Sequence, residues 1–371
     1  MSYRELQSRT LVAKPSVMVA ISIMRILTGI VVAALLAHAC GTAMAVTQLT
    51  IYTAASPSDL ARIKSAYRSE NQDIEIRWVR DSTDRILQRL RVESRQPKAD
   101  IVWGVAASGI AALAANGYFE PYAPADFSDL DRRFSDGQTP PRWIGLLVWA
   151  NVLCVNRDLL AAENLKSPER WGDLLDPAFK GRVLALDPAG SRTGLMTVAG
   201  WMSLWGNDGA WRYMEGLHRN IAVYLRSGNA PCDFVARGLY PIGISYAYRA
   251  AKHIAKGRPI DLIVPGDGVG WDVESMAIVR GTPYVEAARA FADWAIGPAA
   301  MKLQSRRFGL VSRPENGLAV RFYPEKLKDA LVSINFEKRA IERERMLAEW
   351  RLRFGAKAEP GQERPQVREQ L

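Results

Sequence analysis

Apolar and polar positions follow two different periods in the first third of the chain. Alternation with period two, together with β-branched residues, predicts three strands, at 48–53, 74–79 and 99–103. Between and after these strands, apolar positions recur every three to four residues and predict helices. Two of the helices follow turn or capping residues at 56–58 and 81–84. This strand–helix repeat predicts an α/β fold with a mainly parallel sheet covered by helices.

The middle of the chain has a different pattern. Residues 143–156 form a largely apolar, β-rich run that is too long for one ordinary strand, and we interpret it as a strand that crosses between two lobes. A second strand, at 274–279, is predicted to return. The crossings place 46–149 and 274–323 in lobe 1 and 150–273 in lobe 2. Lobe 2 is predicted to contain helices at 193–205, 210–218 and 231–237 and strands at 182–186, 240–245 and 260–264.

Both ends of the chain differ from this body. Basic residues precede the apolar run 26–36, and Ala43-Met44-Ala45 fits the small-x-small cleavage rule, which predicts a signal peptide over 1–45 and a periplasmic location. A membrane anchor would need about 20 apolar residues, roughly twice this run. Lipidation of Cys40 is a further alternative, although Ala37 is smaller than the residue expected there. Residues 324–354 are predicted to be a charged helical segment, and 355–371 a disordered tail.

The length of 371 residues exceeds one ordinary core and agrees with two lobes. The net charge of +10 suggests an anionic ligand, a membrane surface or a nucleic acid as partner, or simply arginines on solvated faces. Lys and Arg do not cluster with aromatic residues in the body of the chain, so a nucleic-acid partner is disfavoured. We expect a monomer that binds a small anionic or zwitterionic ligand.

Removal of the predicted leader leaves two cysteines, Cys154 and Cys232. In an exported protein this pair suggests one disulfide, with two buried free thiols as the alternative. The histidines, at 38, 218 and 253, are not spaced as metal ligands, so no metal site is expected.

Candidate ligand-binding residues lie where strands end and helices begin, because free backbone N–H groups point outward there. Four junctions are of interest: Tyr52-Thr53, Asp81-Ser82-Thr83, 104–108 and Ser191-Arg192-Thr193-Gly194. The last combines hydroxyls, glycine and an arginine, and it predicts an oxyanion site, with an ordinary helix cap as the alternative. Tyr246 ends another strand and could equally be a core aromatic residue. Asp272 and Glu274, near Trp271, could face a ligand ammonium or merely cap a turn.

Enzyme signatures are not found in the sequence. It has no Gly-x-Ser-x-Gly elbow, His-Glu-x-x-His helix or dinucleotide fingerprint. We therefore expect a protein that is not an enzyme and has no cofactor. A secreted hydrolase with paired carboxylates is the alternative from another functional class.

Several segments together resemble a known family. They are 51–54, 78–83, 99–108, 120–124, 231–232, 241–245, 248–252, 270–272 and 292–295, and they recur in this order over about residues 47–315. They are similar to the 2-aminoethylphosphonate-binding proteins of ATP-driven (ABC) importers, a branch near the ferric-iron-binding proteins. The resemblance implies a type II periplasmic-binding-protein fold, two α/β lobes that close on a ligand by hinge strands, and a permease partner.

The resemblance also implies a ligand set. Residues at positions that hold the anionic group are Tyr52, Ser82, Thr83, Ser191 and Thr193, and those on the other side of the cleft are Tyr246, Trp271, Asp272 and Glu274. Four further candidates come from the strand–helix junctions: Thr53, Ala107, Arg192 and Gly194.

Three positions depart from the family pattern. Arg192 replaces a small residue, Asp84 replaces a glycine, and Ala247 replaces an acidic residue. These changes leave the ligand open. A ferric site prefers paired tyrosines with a histidine or carboxylate, whereas here Tyr246 and Tyr248 are one residue apart and no histidine follows the first strand. A polyamine would need an acidic cleft, which the basic composition disfavours.

Overall fold

The computed structural model describes residues 46–306, 310–313 and 322–358. The predicted signal peptide, Cys40 and residues 359–371 of the predicted tail lie outside these ranges. The described elements belong to one compact unit, which begins at Thr47.

The N-terminal elements alternate between strand and helix, as predicted. They are β1 (Thr47–Thr53), α1 (Pro57–Glu70), β2 (Ile74–Arg80), α2 (Thr83–Val92), β3 (Ile101–Ala106), α3 (Ala107–Ala115), β4 (Phe119–Glu120) and the long β5 (Ile144–Asn156). Ser56 and Ser82 begin α1 and α2, and each hydroxyl accepts a backbone N–H of the first turn. The polar residues before each apolar face therefore fix where these helices start.

The remaining elements build the second lobe and then return to the first. They are α4 (Arg157–Ala162), β6 (Val183–Leu186), α5 (Arg192–His218), β7 (Ile221–Leu225), α6 (Ala230–Ala236), β8 (Ile242–Tyr246), α7 (Ala247–Ile254), β9 (Ile260–Ile263), β10 (Trp271–Val279), α8 (Val285–Ile296), α9 (Pro298–Ser305), β11 (Leu310–Val311) and α10 (Phe336–Phe354). None of the described helices combines the length and hydrophobicity needed to cross a membrane.

Strand β5 crosses between the lobes. Its residues 144–150 pair with β10 in antiparallel register, and residues 151–156 pair instead with β8 and β9. The partner changes between Ala150 and Asn151, one residue from the predicted boundary. The long apolar run of the sequence is thus explained by a strand that is buried in both lobes.

The strands form one mixed sheet. Its order is β2-β1-β3-β10-β5-β8-β6-β7, with β1 parallel to β2 and β3, and β6 parallel to β7 and β8. Strand β10 runs antiparallel to both neighbours, β3 and β5. The α/β prediction is confirmed, and the sheet is less uniformly parallel than the sequence suggested because both crossing strands lie in it.

One strand boundary differs from the sequence prediction. Strand β10 begins at Trp271, three residues early, because Trp271 already pairs with Ala150 of β5. The two helices predicted at 193–205 and 210–218 are present as the two segments of α5, which are separated by a kink at Gly206, where φ is +69°. Glycine adopts this left-handed conformation without the clash that a Cβ would cause.

The C-terminal helix α10 contacts both lobes. Near its start, the Phe336 ring packs edge-on against Trp143 and Trp271. Near its end, Trp350 packs edge-on against Tyr224 of β7. The helix begins at Phe336, later than position 324, and the chain continues through a 3-10 turn to Ala358, which bridges to Tyr224. Residues 355–358, assigned to the tail from sequence, are therefore part of the folded body.

The two cysteines meet in lobe 2. The Cys154 and Cys232 sulfurs are at disulfide distance, with the Cα atoms 5.5 Å apart, so the pair links β5 to α6. Both side chains are fully buried. The geometry agrees with the predicted disulfide.

Candidate functional site

The loop between β6 and α5 is shaped by Asp187. One of its carboxylate oxygens accepts the N–H of Ala189 at 2.8 Å, and its carbonyl oxygen accepts the N–H groups of Gly190 and Ser191 at 3.2 and 2.9 Å. These bonds turn the chain sharply between β6 and the start of α5. Gly194 permits this approach, because a Cβ there would lie 3.0 Å from the Asp187 carbonyl oxygen.

The hydroxyls at the start of α5 face a second loop. Ser191 caps the helix, its Oγ accepting the N–H of Gly194 at 3.3 Å. A Cβ on Gly228, in the turn after β7, would lie 2.6 Å from Thr193 Oγ1 and 3.6 Å from Ser191 Oγ. We call Ser191–Gly194 together with Gly228 the hydroxyl loop. It combines two hydroxyls with the N-terminus of the first segment of α5, which runs from Arg192 to the kink at Gly206, a combination suited to an oxyanion.

Two helix starts of lobe 1 lie together. Ser82 caps α2, its Oγ accepting the N–H of Arg85 at 3.4 Å. The Thr83 methyl group is packed so closely that it would lie 2.9 Å from a Cβ on Gly109 of α3. Ala107, the first residue of α3, is fully buried. The N-termini of α2 and α3 therefore present their first backbone N–H groups side by side.

An ion pair joins the two lobes at this point. Arg192 Nη2 lies 2.5 Å from Asp84 Oδ1, and Arg192 Nη1 would lie 3.6 Å from a Cβ on Gly109. The guanidinium thus extends from the hydroxyl loop of lobe 2 to the paired helix starts of lobe 1. Arg192 and Asp84, which the sequence analysis noted as departures from the resembled pattern, are thus partners in one ion pair.

We expect this ion pair to contribute modestly to stability, because the Asp84 side chain is 71% exposed. A double-mutant cycle with Asp84→Asn and Arg192→Gln should give a coupling energy of about 0.2–1 kcal/mol in urea unfolding. The coupling should shrink at about 1 M salt, where exposed charges are screened. The pair Arg62→Gln and Asp59→Asn, within α1, is the control for an ion pair that does not join the lobes. A coupling above about 2 kcal/mol, or one insensitive to salt, would contradict this assignment.

A buried carboxylate lies beside the ion pair. Asp272 of β10 accepts hydrogen bonds from the Ser108 hydroxyl, from the Ser108 N–H at 3.3 Å and from the Val273 N–H at 2.8 Å. Burial raises the pKa of Asp272, while these hydrogen bonds and the positive charge of Arg192 oppose the rise. The site thus offers a negative group within electrostatic reach of the guanidinium.

A second buried acid lies two residues further along β10. Glu274 is 3% exposed, and its Oε2 would lie 3.8 Å from a Cβ on Gly104. Thr53, at the end of β1, lies against the same glycine and uses Oγ1 to accept the N–H of Ala55 at 3.1 Å. Gly104 has φ of +66° and lies within β3 where the pairing with β10 shifts register, so this irregularity in the strand favours glycine for its conformation as well as for space.

Tyr246 and Trp271 are held by neighbouring residues. The Tyr246 hydroxyl donates to Asn229 Oδ1 at 2.6 Å, next to Gly228 of the hydroxyl loop, and burial raises its pKa to about 12. The Trp271 indole N–H donates to the Val332 carbonyl at 2.6 Å. Tyr246 is therefore close to the hydroxyl loop, whereas Trp271 packs mainly against the segment that leads into α10.

The Tyr52 hydroxyl does not lie near the other candidate ligand-binding residues. Its hydroxyl donates to Glu93 at 2.8 Å, just beyond the end of α2, and burial raises its pKa to about 12, with the Glu93 bond adding to the rise. Ser82 lies at the opposite end of this ten-residue helix, about 15 Å away. The Tyr52 side chain therefore points away from the junction of the lobes.

Two residues near the site, Gly228 and Arg226, were not among the sequence candidates, and Ser108 was named only as the last residue of the junction 104–108. Ser108 follows Ala107 and binds Asp272. Arg226 packs its side chain on Gly190, with Cγ 2.9 Å from where a Cβ would lie, and approaches Asp187 at 3.9 Å. The sequence signal was the turn Arg226-Ser227-Gly228-Asn229 after a strand, which has the same strand-to-helix character as the junctions that were selected.

Comparison with known proteins identifies the family. The family model described as bacterial extracellular solute-binding protein matches residues 53–302, about two thirds of the chain. The chain belongs to this family. An uncharacterized protein of Haemophilus influenzae is 28% identical to this solute-binding protein, over 84% of this chain and 91% of the relative. A probable ABC transporter periplasmic-binding protein of Sinorhizobium fredii is 24% identical, over 78% and 80% of the two chains.

Solved structures show the same fold. The periplasmic binding protein AfuA from Actinobacillus pleuropneumoniae, with fructose-6-phosphate bound, matches with a TM-score of 0.70 and 24% identity, over 83% of this chain and 99% of that one. A Bordetella ferric binding protein matches with a TM-score of 0.69 and 20% identity, over 84% and 99%. The predicted type II periplasmic-binding-protein fold is confirmed, and solute-binding proteins of this family and fold are typically non-enzymatic. Within residues 46–306, 310–313 and 322–358, no group of three or more His, Cys, Asp or Glu could hold a metal ion.

Proposed function

We propose that this protein is the periplasmic solute-binding component of an ABC importer and that it binds a small phosphonate such as 2-aminoethylphosphonate. The observation that carries the proposal is the meeting of three groups where the lobes join. These are the hydroxyl loop at the start of α5, the Arg192 guanidinium and the buried carboxylate of Asp272. The Sinorhizobium fredii relative, named as a probable ABC transporter component, supports the importer assignment.

The anionic end of the ligand would bind at the hydroxyl loop. Ser191 and Thr193 offer hydroxyls, α5 offers backbone N–H groups at its positive end, and Arg192 offers N–H groups in addition to those directed at Asp84. A phosphonate has three oxygens that accept such bonds. Ser82, Thr83 and Ala107 would approach the same group from lobe 1, since Arg192 already contacts that side.

The amine end would bind at Asp272. An ammonium group favours the ionised form of this buried acid, and the Ser108 bonds hold the carboxylate in place. Glu274 and Thr53 would complete the polar wall on the lobe 1 side, and Tyr246, beside Asn229, would flank the hydroxyl loop. Tyr52 is not part of this proposed set, because its hydroxyl is bonded to Glu93.

Ligand binding would stabilise the closed arrangement of the lobes. The set draws on α2 and α3 of lobe 1, on α5 of lobe 2 and on β10, which crosses between them. A ligand that contacts all of them binds the closed form better than an open one and so shifts the equilibrium towards closure. An importer would then recognise the closed protein.

The proposal is tested by a thermal-shift titration of the protein beginning at Val46. The ligands are 2-aminoethylphosphonate, methylphosphonate, inorganic phosphate, fructose 6-phosphate, ferric citrate and spermidine. A ligand that binds the folded state raises the melting temperature, and at about 100 times its Kd it adds about 2.7 kcal/mol. We expect the largest shift with 2-aminoethylphosphonate. A shift with ferric citrate or spermidine alone would overturn the phosphonate assignment, and a shift with fructose 6-phosphate alone would replace it with a sugar phosphate.

Calorimetry on Arg192→Ala then tests the placement of the anion. Loss of a charged hydrogen bond should weaken 2-aminoethylphosphonate binding by about 1.5–3 kcal/mol. Arg170→Ala is a matched control, since Arg170 is a largely exposed arginine that pairs with Asp267 away from the hydroxyl loop. Unchanged affinity in Arg192→Ala would show that the guanidinium serves the ion pair with Asp84 and does not contact the ligand.

A further inference from the structure

A cavity of about 230 Å³ lies between α5 and the C-terminal helix α10. On the α5 side the apolar lining residues are Leu195, Met196, Ala199, Met202 and Trp211. On the α10 side Phe336, Ala340 and Met346 are joined by charged residues, among them Arg339, Glu342 and Arg345. Ser108 and Asp272 also line the cavity. Taking about 30 Å³ for each water molecule, the cavity has room for about seven.

The cavity adjoins the site proposed for the amine. Asp272 and Ser108, which are hydrogen-bonded to each other, both line it. Leu195 and Met196 lie in the first turns of α5, immediately after the hydroxyl loop. A molecule bound at the hydroxyl loop and at Asp272 would therefore have the cavity directly beyond its amine end.

The larger part of the cavity surface is apolar, and several charged groups on its walls have ionic partners. Arg343 pairs with Glu344, and Arg345 pairs with Glu342. Arg339 contacts Glu342 at 3.0 Å and Asn207 of α5 at 3.4 Å, so it ties α10 to α5 at the rim. Glu349 pairs with Arg353 at 2.6 Å. The leucine, methionine and aromatic side chains that remain favour an uncharged organic group over a second anion.

We propose that this cavity receives the organic group of the ligand, and that α10 is a wall of the ligand site. The inference rests on the proposed function and extends it. The preferred ligand is an organic phosphonate or phosphate monoester whose substituent is larger than an aminoethyl chain and has an apolar or aromatic part. A short aminoethyl chain fills only a fraction of a space that holds about seven waters, and the unfilled apolar surface adds nothing to its affinity.

Calorimetry with four probes tests the inference: inorganic phosphate, methylphosphonate, phenylphosphonate and phenyl phosphate. Wild-type protein should bind a phenyl compound at least about tenfold more tightly than methylphosphonate, because the ring is buried against apolar side chains. A preference for phenylphosphonate over phenyl phosphate identifies a phosphonate as the ligand class, and the reverse identifies a phosphate monoester.

Variants that fill the cavity test whether the preference for phenyl compounds arises there. Ala340→Leu, on α10, should abolish the preference for the phenyl compounds and leave the affinity for inorganic phosphate within about threefold. Ala348→Leu is the matched control, because Ala348 is exposed on the same helix and does not line the cavity. Ala199→Val fills the cavity from α5 and gives an independent answer if Ala340→Leu does not fold, which a melting curve would reveal.

The outcomes separate the two proposals. If wild-type protein binds methylphosphonate and the phenyl compounds equally, or if both cavity variants keep the phenyl preference, the cavity inference is wrong while the proposed function stands. If wild-type protein binds none of the four anions but binds 2-aminoethylphosphonate, measured alongside them, the cavity inference is wrong while the proposed function stands. If 2-aminoethylphosphonate does not bind either, the proposed function is wrong and the inference falls with it.

Discussion

Reduction of the Cys154–Cys232 link should lower the free energy of unfolding by about 4–5 kcal/mol. The two residues are 78 positions apart in sequence, and in the chain-entropy model a cross-link over so long a loop removes much of the entropy of the unfolded chain. That loss is comparable with a large part of the stability of an ordinary domain. We therefore expect the reduced protein to be only marginally folded at 37 °C.

Urea unfolding of the protein beginning at Val46, with and without a thiol reductant, measures the effect. The double variant Cys154→Ala/Cys232→Ala is the matched control, since its stability should be low and should not respond to the reductant. Because both cysteines are buried, thiols must be counted on denatured, unreduced protein, where we expect none. Two reactive thiols per chain, together with a free energy of unfolding that is the same with and without reductant, would show that the cysteines are not linked.

The crossing strand is the element that the sequence predicted best. An apolar run of 143–156 is too long for one strand in one core, and the structure explains it by giving β5 two sets of partners. The break predicted between the helices at 205–210 was also informative, because it coincides with the positive φ of Gly206. In both cases the signal is local, a length or a glycine, and does not depend on distant residues.

The start of β10 was missed because its polar residues concealed a buried strand. Asp272, in the missed part 271–273, is nearly inaccessible, although aspartate usually marks a turn or an exposed face. Glu274 and Ser275, in the part that was predicted, are buried in the same way. They are tolerated because partners are available, such as Ser108 for Asp272 and the Val105 carbonyl for the Ser275 hydroxyl. A strand that violates the hydrophobic pattern in this way is expected at a functional site.

The charge of the C-terminal segment concealed its role. The sequence of α10 is rich in Arg and Glu, which favoured a solvated appendage, yet Met346, Trp350 and Phe354 recur every four residues on a buried face. The partners of that face lie on helices and strands more than 100 positions earlier, so its attachment to both lobes was not visible in the sequence.

The pairing of Asp84 with Arg192 was beyond prediction for the same reason. The two residues are 108 positions apart and belong to different lobes. The sequence analysis noted each residue separately as a departure from the resembled pattern. Only the fold shows that the two side chains form an ion pair. The position of Tyr52 at the end of β1 was predicted correctly. The direction of its side chain, towards Glu93 at the end of α2, could not be predicted because it depends on tertiary packing.

Removal of both hydroxyls from the hydroxyl loop should weaken phosphonate binding by two to four orders of magnitude. A hydrogen bond to a charged group contributes about 1.5–3 kcal/mol, and the variant Ser191→Gly/Thr193→Val loses two of them. Glycine is chosen at 191 because it caps a helix almost as well as serine, within a few tenths of a kcal/mol, so α5 should still begin at the same residue. The measurement is calorimetry with 2-aminoethylphosphonate, alongside a melting curve.

A second variant displaces a hydroxyl of the hydroxyl loop without removing it. Gly228→Ala places a methyl group 2.6 Å from Thr193 Oγ1, so the side chain must move and its hydrogen bond to the ligand should be lost. Gly172→Ala is the matched control, since no atom lies within 4 Å of the added Cβ. We expect Gly228→Ala to weaken binding by about tenfold or more and Gly172→Ala to leave it unchanged. If the double hydroxyl variant and Gly228→Ala both bind 2-aminoethylphosphonate as tightly as the wild type does, the anionic group binds elsewhere. Ser191 is then an ordinary N-cap of α5 with no role in ligand binding.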